Sequence, residues 1–275
     1  MILLATDLDR TLLPNGSEPD SGHLHILFNS LKSKNIKLAY VSGRNLPLLQ
    51  TALKKYSLPL PDIFIGAVGT EIYQKNKDQL IPDPLWPEYV INNSPNWDDA
   101  WIRQNIKEPE INLQEPEVQN PFKVSFYCST NEQIDNLIKK IKSKLETKHI
   151  SAKTVYSFDP LKKIGLLDIL PAITSKVGAI EYIRQQLQLT KDQVIYCGDS
   201  GNDIHPLTAG YKSIMVKNVD QQTRQAVTTH HQNNKTEHLL YQSQGGVVGN
   251  GHYASGILEG LIHFQIISSQ DIFEQ

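Results

Sequence analysis

Asp7 and Asp9 stand two residues apart where a short apolar run, residues 2–5, gives way to Thr6-Asp7-Leu8-Asp9-Arg10-Thr11. Carboxylates crowded at the end of a strand-like segment cannot be a packing device, because unpaired buried charge is costly and needs a cation, protons or water. The pair reads as half of a metal and phosphate site, with Asp7 able to act as a nucleophile. A second acidic pair lies far along the chain, in Gly198-Asp199-Ser200-Gly201-Asn202-Asp203, again after an apolar run. Glycines around Asp199 permit tight turns, and oxygen-only ligands suit a hard cation such as Mg2+ shared with phosphate oxygens. Lys176 opens a helical pattern carried by Val177, Ile180, Ile183 and Leu187. A lysine in a first turn opposes the helix dipole unless an anion lies close by. Ser42-Gly43-Arg44 follows another strand-like run and combines a hydroxyl, a bare amide and a guanidinium, all suited to gripping phosphate.

These groups need elements to position them. Several segments repeat one pattern: an aliphatic run, a polar turn, then helical periodicity. Lys37-Leu38-Ala39-Tyr40-Val41 leads to Ser42, and Pro47 suits the first helical turn beyond it. Ile63-Phe64-Ile65 and Val194-Ile195-Tyr196-Cys197 repeat the pattern, and residues 213–216 read as a further strand. Strands alternating with helices predict an α/β fold, a Rossmann-like parallel sheet covered on both faces, with ligands in the crevice beyond the strand ends. The middle differs: Pro82, Pro84, Pro87, Pro95, Pro109, Pro116 and Pro121 interrupt the pattern. There Val124-Ser125-Phe126-Tyr127 alternates as a strand. Asn131 can cap a helix bearing Ile134, Leu137, Ile138, Ile141 and Leu145, and residues 155–158 form another strand candidate. The reading is a core domain, residues 1–81 and 165–275, with a smaller α/β domain inserted at 82–164. Asp168-Ile169-Leu170-Pro171 brings the chain back to the core.

Composition narrows the partners. The chain has 275 residues, 39% hydrophobic and 20% charged, with a formal net charge of -2, so it carries no overall basic field for nucleic acid. The basic run at 139–153 reads as a solvated helix face and its exit. Only Cys128 and Cys197 are present, outside any CxxC pair, so a reducing, cytoplasmic setting is expected. No stretch approaches the ~18 apolar residues of a membrane span. Gly245-Gly246-Val247-Val248-Gly249-Asn250-Gly251 lacks the Gly-Lys-Ser/Thr of a nucleotide loop and reads as a flexible loop. His230, His231, His238 and His252 lack metal-ligand spacing.

The order of acidic pair, hydroxyl, lysine and acidic pair resembles the haloacid dehalogenase superfamily of phosphotransferases over essentially the whole chain. The insertion resembles the α/β cap that one class of that superfamily carries between its second and third motifs. Gly66-Ala67-Val68-Gly69-Thr70-Glu71-Ile72-Tyr73, Asn120-Pro121-Phe122-Lys123-Val124-Ser125-Phe126, Cys197-Gly198-Asp199-Ser200-Gly201-Asn202-Asp203 and Ala254-Ser255-Gly256-Ile257-Leu258-Glu259 resemble the sucrose-phosphate phosphatases more closely. Ser42 stands where that family often has Thr, which keeps the hydroxyl.

The resemblance implies that Asp7 attacks phosphorus in line and that Asp9 serves as acid and then base. It implies Mg2+ held by Asp7, the Asp9 backbone carbonyl, Asp199 and Asp203, the last through a water or by orienting Lys176. Ser42, the Gly43 amide, Arg44 and Lys176 would hold phosphoryl oxygens. Glu71, Asn120, Lys123 and Asn202 would contact the substrate, and Trp86, Trp97 and Trp101 either stack on a sugar or fill the small domain's core. The implied reaction is hydrolysis of sucrose 6-phosphate. Mannosylfructose phosphate or glucosylglycerate phosphate are alternative substrates, and a disaccharide-phosphate synthase is a conceivable associate. A phospho-accepting signalling module is the competing class, but it explains neither the insertion nor the Asp7–Asp9 spacing.

Overall fold

Aliphatic runs followed by polar turns build the first of two sheets in the computed structural model, which describes residues 1–32, 34–129, 134–159 and 163–273. The chain divides into two units, Met1–Pro82 with Lys176–Gln275, and Asp83–Ser175. The first begins with β1 (Ile2–Thr6), α1 (Leu24–Leu31), β2 (Ile36–Val41), α2 (Leu46–Lys55), β3 (Ile63–Gly66), β4 (Glu71–Asn76) and β5 (Gln79–Pro82). The second holds α3 (Trp86–Asn92), α4 (Asp99–Asn105), β6 (Ile111–Leu113), β7 (Val124–Cys128), α5 (Ile134–Thr147), β8 (Ala152–Asp159) and β9 (Ile164–Pro171). The first then resumes with α6 (Lys176–Gln186), β10 (Val194–Gly198), α7 (Ile204–Leu207) and β11 (Lys212–Met215). It closes with α8 (Gln221–Asn234), β12 (Leu240–Gln242), α9 (Tyr253–His263) and α10 (Gln270–Phe273).

The larger sheet runs β12-β11-β10-β1-β2-β3-β4-β5, parallel as far as β3, with β4 and β5 added antiparallel at the edge. β1 lies between β10 and β2, both parallel to it. Their exits carry Asp199, Asp7 and Ser42, so parallel pairing alone brings three distant segments to one edge of the sheet. β2 follows β1 on one side while β10 flanks it on the other, and such a reversal of strand order opens a crevice at the strand ends. One face of the sheet packs Leu4, Tyr40, Phe64, Ile195, Cys197 and Ile214 against Leu27 of α1, Leu49 of α2 and Ile257, Leu258 and Leu261 of α9. On the other side α6, through its buried Ala179, Ile180 and Ile183, covers the sheet near β3. Asn45 caps α2, its side chain accepting from the Leu48 amide, with Pro47 in the first turn.

The smaller sheet is antiparallel, in the order β6-β7-β9-β8. Leu137, Ile141 and Leu145 recur along α5 and pack on Val124, Phe126, Leu167 and Ile169. Asn131, expected to cap this helix, lies outside the described residues. The expected return to the core at residue 165 needs correction. β9 pairs with β7 and β8 along its length, and its Leu167 and Ile169 lie in the second core. An apolar run does not reveal which sheet it joins, so the division falls at Ser175 instead. Trp86 is fully buried and stacks on Tyr89, while Trp97 and Trp101 pack against the second core. Trp86 thus fills interior space, and the other two rings are half-buried against that core.

The glycine-rich segment after β12 differs from the flexible loop expected of it. The buried carboxylate of Glu259 on α9 accepts from Ser243 Oγ (2.5 Å), the Gly245 amide (3.2 Å) and the Val247 amide (3.3 Å). At Gly245, where φ is +82°, a Cβ would stand 2.6 Å from the Asn250 carbonyl oxygen, so the turn is closed tightly upon itself. Among the described residues no helix is long and apolar enough to cross a membrane.

Candidate active site

Asp7, at the exit of β1, is almost completely buried. Lys176, the first residue of α6, donates to Asp7 Oδ1 at 2.7 Å, to Asp203 Oδ1 at 2.7 Å and to Asn202 Oδ1 at 3.0 Å. All three ammonium protons are thereby engaged. The carboxylates also offset the helix dipole that a first-turn lysine opposes. Oxygens of Asp7, Asp199 and Asp203 lie within 4.8 Å of one another, all three residues being buried. Asp199 Oδ1 accepts from Thr11 Oγ1 at 3.0 Å, whereas Asp199 Oδ2 is buried without a hydrogen-bond donor, Arg10 Nε standing 3.3 Å away. Three carboxylates, one buried oxygen that accepts no hydrogen bond and, among the described residues, no nitrogen or sulfur ligand beside them make a donor set that fits a divalent hard cation.

Burial dominates the electrostatics. It drives Asp7 up to about 8 against the pull of Lys176, and raises Asp199 to about 7 with the Asp203 charge adding to it. Burial opposes the charge on Lys176 too, but Asp203 and Asp7 outweigh it and hold the ammonium protonated. A divalent cation would reverse the balance at the carboxylates.

Asp9 points elsewhere. Arg44 grips it with Nε to Oδ2 at 2.9 Å and Nη2 to Oδ1 at 2.6 Å, and Asn15 Nδ2 donates to Oδ1 at 2.6 Å. Burial pushes the Asp9 carboxyl up, but Arg44 more than compensates and holds it below the usual range. The Asp9 carboxylate is therefore separate from the acidic triad, and Arg44, expected to grip phosphate, is paired with it. Sequence spacing contains no signal for that pairing, because Arg44 arrives from the neighbouring strand's exit.

The Ser42–Arg44 turn is braced by strained backbone. Ala67, Val68 and Gly69 all have positive φ, +45°, +63° and +92°. That conformation costs a β-branched valine roughly 1–2 kcal/mol. The Ala67 amide donates to the Arg44 carbonyl (2.9 Å) and the Val68 amide to the Ser42 carbonyl (3.1 Å), fixing the turn beside it. A cleft of about 290 Å³ is lined by Asp7, Asp9, Ser42, Gly43, Arg44 and Asp199, together with Arg10, Leu48, Ser200 and Asn202. Glu71 is absent from this lining; it starts β4 and accepts from the Tyr73 hydroxyl. Asn120 and Lys123 belong to the second unit, where they form a tight turn before β7. Asn15 and Tyr196, whose hydroxyl reaches Asp203, escaped the sequence reading because each looks like a loop or core residue, and Thr11, part of the Asp7–Thr11 motif, proves to donate to Asp199.

An acidic triad, a buried lysine and a hydroxyl-bearing turn beyond the strand ends of a Rossmann-like sheet define a class, the phosphoric monoester hydrolases of the haloacid dehalogenase type. The family model for sucrose-6F-phosphate phosphohydrolase matches residues 1–265, and the chain belongs to that family. It is 38% identical to a HAD-like hydrolase of Nitrosococcus oceani over 266 residues, 96% of this chain and 71% of that protein. It is 30% identical to sucrose-phosphatase 2 of Nicotiana tabacum over 90% of this chain, but spans only 57% of the tobacco protein's length. Among solved structures, the sucrose-phosphatase from a Synechocystis species, in complex with sucrose and phosphate, superposes with a TM-score of 0.74 at 28% identity. That match covers 96% of this chain and 98% of the other.

Proposed function

We propose that the protein is an Mg2+-dependent phosphatase that converts sucrose 6-phosphate and water to sucrose and inorganic phosphate. The observation that carries this reading is the buried lysine shared by Asp7 and Asp203, beside a third carboxylate with a buried oxygen that accepts no hydrogen bond. Asp7 attacks phosphorus, the bond to the sugar oxygen breaks, and Asp9 gives that oxygen its proton. The aspartyl-phosphate is then cleaved by water, which Asp9 deprotonates, returning Asp7 as carboxylate and releasing phosphate. Arg44 must release Asp9 before Asp9 can carry a proton, and an incoming phosphate dianion provides the competing acceptor for the guanidinium. Ser42, the Gly43 amide and Lys176 orient the phosphoryl oxygens.

Asp7, Asp199 and the Asp9 backbone carbonyl would hold Mg2+. When bound, the ion supplies the positive charge that lets a phosphate dianion approach clustered carboxylates. Glu71, Asn120 and Lys123 are the residues we assign to the sugar hydroxyls, with Asn202 near the phosphate end.

A substrate panel tests the reading. Phosphate release is measured with Mg2+ from sucrose 6-phosphate, mannosylfructose phosphate, glucosylglycerate phosphate, trehalose phosphate and simple hexose phosphates. Sucrose 6-phosphate is expected to lead in kcat/KM by at least about tenfold, or 1.4 kcal/mol of transition-state discrimination. A higher value for another glycoside phosphate moves the substrate assignment to it. No release from any sugar phosphate overturns the proposal.

A further inference from the structure

Tyr196 takes no part in the reaction proposed above, yet its hydroxyl reaches the acidic cluster. The residue is fully buried on β10, level with Ala5 on β1 and Ser213 on β11. Its hydroxyl donates to Asp203 Oδ1 at 2.5 Å, the same oxygen that accepts from Lys176 at 2.7 Å. Asp203 Oδ2 accepts from the amides of Asp199 (3.1 Å) and Ser200 (3.2 Å). A carboxylate offers about four lone-pair positions, so on Asp203 every one is taken by a donor of this chain. A Cβ on Gly198 would stand 2.6 Å from the Asp203 Cβ, so only glycine lets the two approach. Asp199 is the opposite case, with a buried Oδ2 that accepts no hydrogen bond and faces only the Arg10 guanidinium at 3.3 Å among the described residues.

We infer that Tyr196 is a positioning residue whose hydroxyl completes the donor set on Asp203, reserving that carboxylate for Lys176 and leaving the cation to Asp7 and Asp199. Two donors share Asp203 Oδ1, and the ammonium stands at the same 2.7 Å from it and from Asp7 Oδ1, so it bridges the two carboxylates. Without the hydroxyl, Oδ1 regains a lone pair inside a triad whose oxygens already lie within 4.8 Å. It then competes both for the cation and for the lysine. The kinetic part of this inference rests on the phosphatase reading; the metal-binding part does not.

The test is Tyr196→Phe, which keeps the ring and removes one oxygen, with Tyr40→Phe as control. Tyr40 is equally buried in the same sheet, but its hydroxyl donates to the Pro59 carbonyl, away from the cluster. Mg2+ is titrated calorimetrically into the 275-residue chain without substrate, and kcat and KM are measured separately. Tyr196→Phe should bind Mg2+ about threefold or more tightly while kcat falls by about tenfold and KM stays within about twofold, the scale typical of outer-shell partners. Tyr40→Phe should change none of these. Tighter metal binding with slower turnover is not the signature of a loosened fold, which weakens both. Tyr196→Met repeats the hydroxyl loss with a flexible side chain, so a packing defect peculiar to one variant is recognised. Unchanged or weaker Mg2+ affinity in both variants overturns the inference. Because calorimetry needs no sugar, the metal arm stays decisive even if the physiological substrate is a different phosphate ester.

Discussion

At the residue scale the site is a problem in charge. Three buried carboxylates meet one lysine, and burial, with the Asp203 and Asp199 charges adding to it, lifts Asp7 to about 8 against the pull of Lys176. Asp7→Asn keeps the shape and an acceptor for Lys176 while removing both the nucleophile and the buried charge. Phosphate release should fall by at least about 10³-fold. The melting temperature should stay level or rise, because the wild-type group is held in place against its own desolvation. Substantial residual turnover in a folded Asp7→Asn protein would remove Asp7 as nucleophile. The residue types and spacing of Asp7, Lys176, Asp199 and Asp203 were legible in the sequence. The Asp9–Arg44 pair and the Tyr196 hydrogen bond were not, since each joins segments that only the fold makes neighbours.

At the scale of elements, much of the positioning is done by backbone that carries no chemistry. The left-handed stretch Ala67–Gly69 holds the carbonyls of Ser42 and Arg44. Glu259 on α9 does the same for the glycine-rich turn, a role that composition could not reveal because a glycine run reads as slack chain. Glu259→Gln would turn an amide N–H toward donors that the carboxylate now satisfies. Each donor left unpaired costs about 1–3 kcal/mol. The melting temperature should drop by several degrees, on the scale of about 2–4 °C per kcal/mol for a domain of this size. Turnover measured well below that temperature should change by no more than a few-fold. A thermal scan showing no loss would mean the turn is held by other contacts. Strand β9 teaches the converse lesson. Its apolar pattern was visible, but the choice between sheets belonged to β7 and β8, which offered matching edges.

Two measurements report on the whole molecule. Chelation should abolish phosphate release and added Mg2+ should restore it. A hundredfold excess over its dissociation constant stabilises the native state by about 2.7 kcal/mol, so the melting temperature should rise by roughly 5–10 °C. A melting temperature indifferent to Mg2+ would argue against Asp7 and Asp199 as its ligands. The second concerns Lys153 on β8, whose ammonium burial pushes down to about 8. Its folded-state value lies below the unfolded one, so between pH 8 and about 10.5 the unfolded chain binds the extra proton and stability gains as pH rises. Lys153→Met removes both the burial cost and the pH dependence. The variant should be the more stable at pH 7, and its advantage should shrink by pH 10. Denaturant midpoints at the two pH values check this, and an advantage that does not shrink would mean Lys153 is not held below its ordinary value.

The sequence by itself determined the alternation of strands and helices, the two acidic pairs, the lysine at a helix start and the presence of an insertion. Each of these follows from local periodicity or from residue types a few positions apart. Tertiary structure alone decided that β10, β1 and β2 lie side by side, that Arg44 meets Asp9, that Tyr196 reaches Asp203 and that β9 joins the smaller sheet. Those outcomes depend on which distant segments pair. The physical reason is that register and burial are set by whole sheets, and no short window of chain contains the partner it will meet.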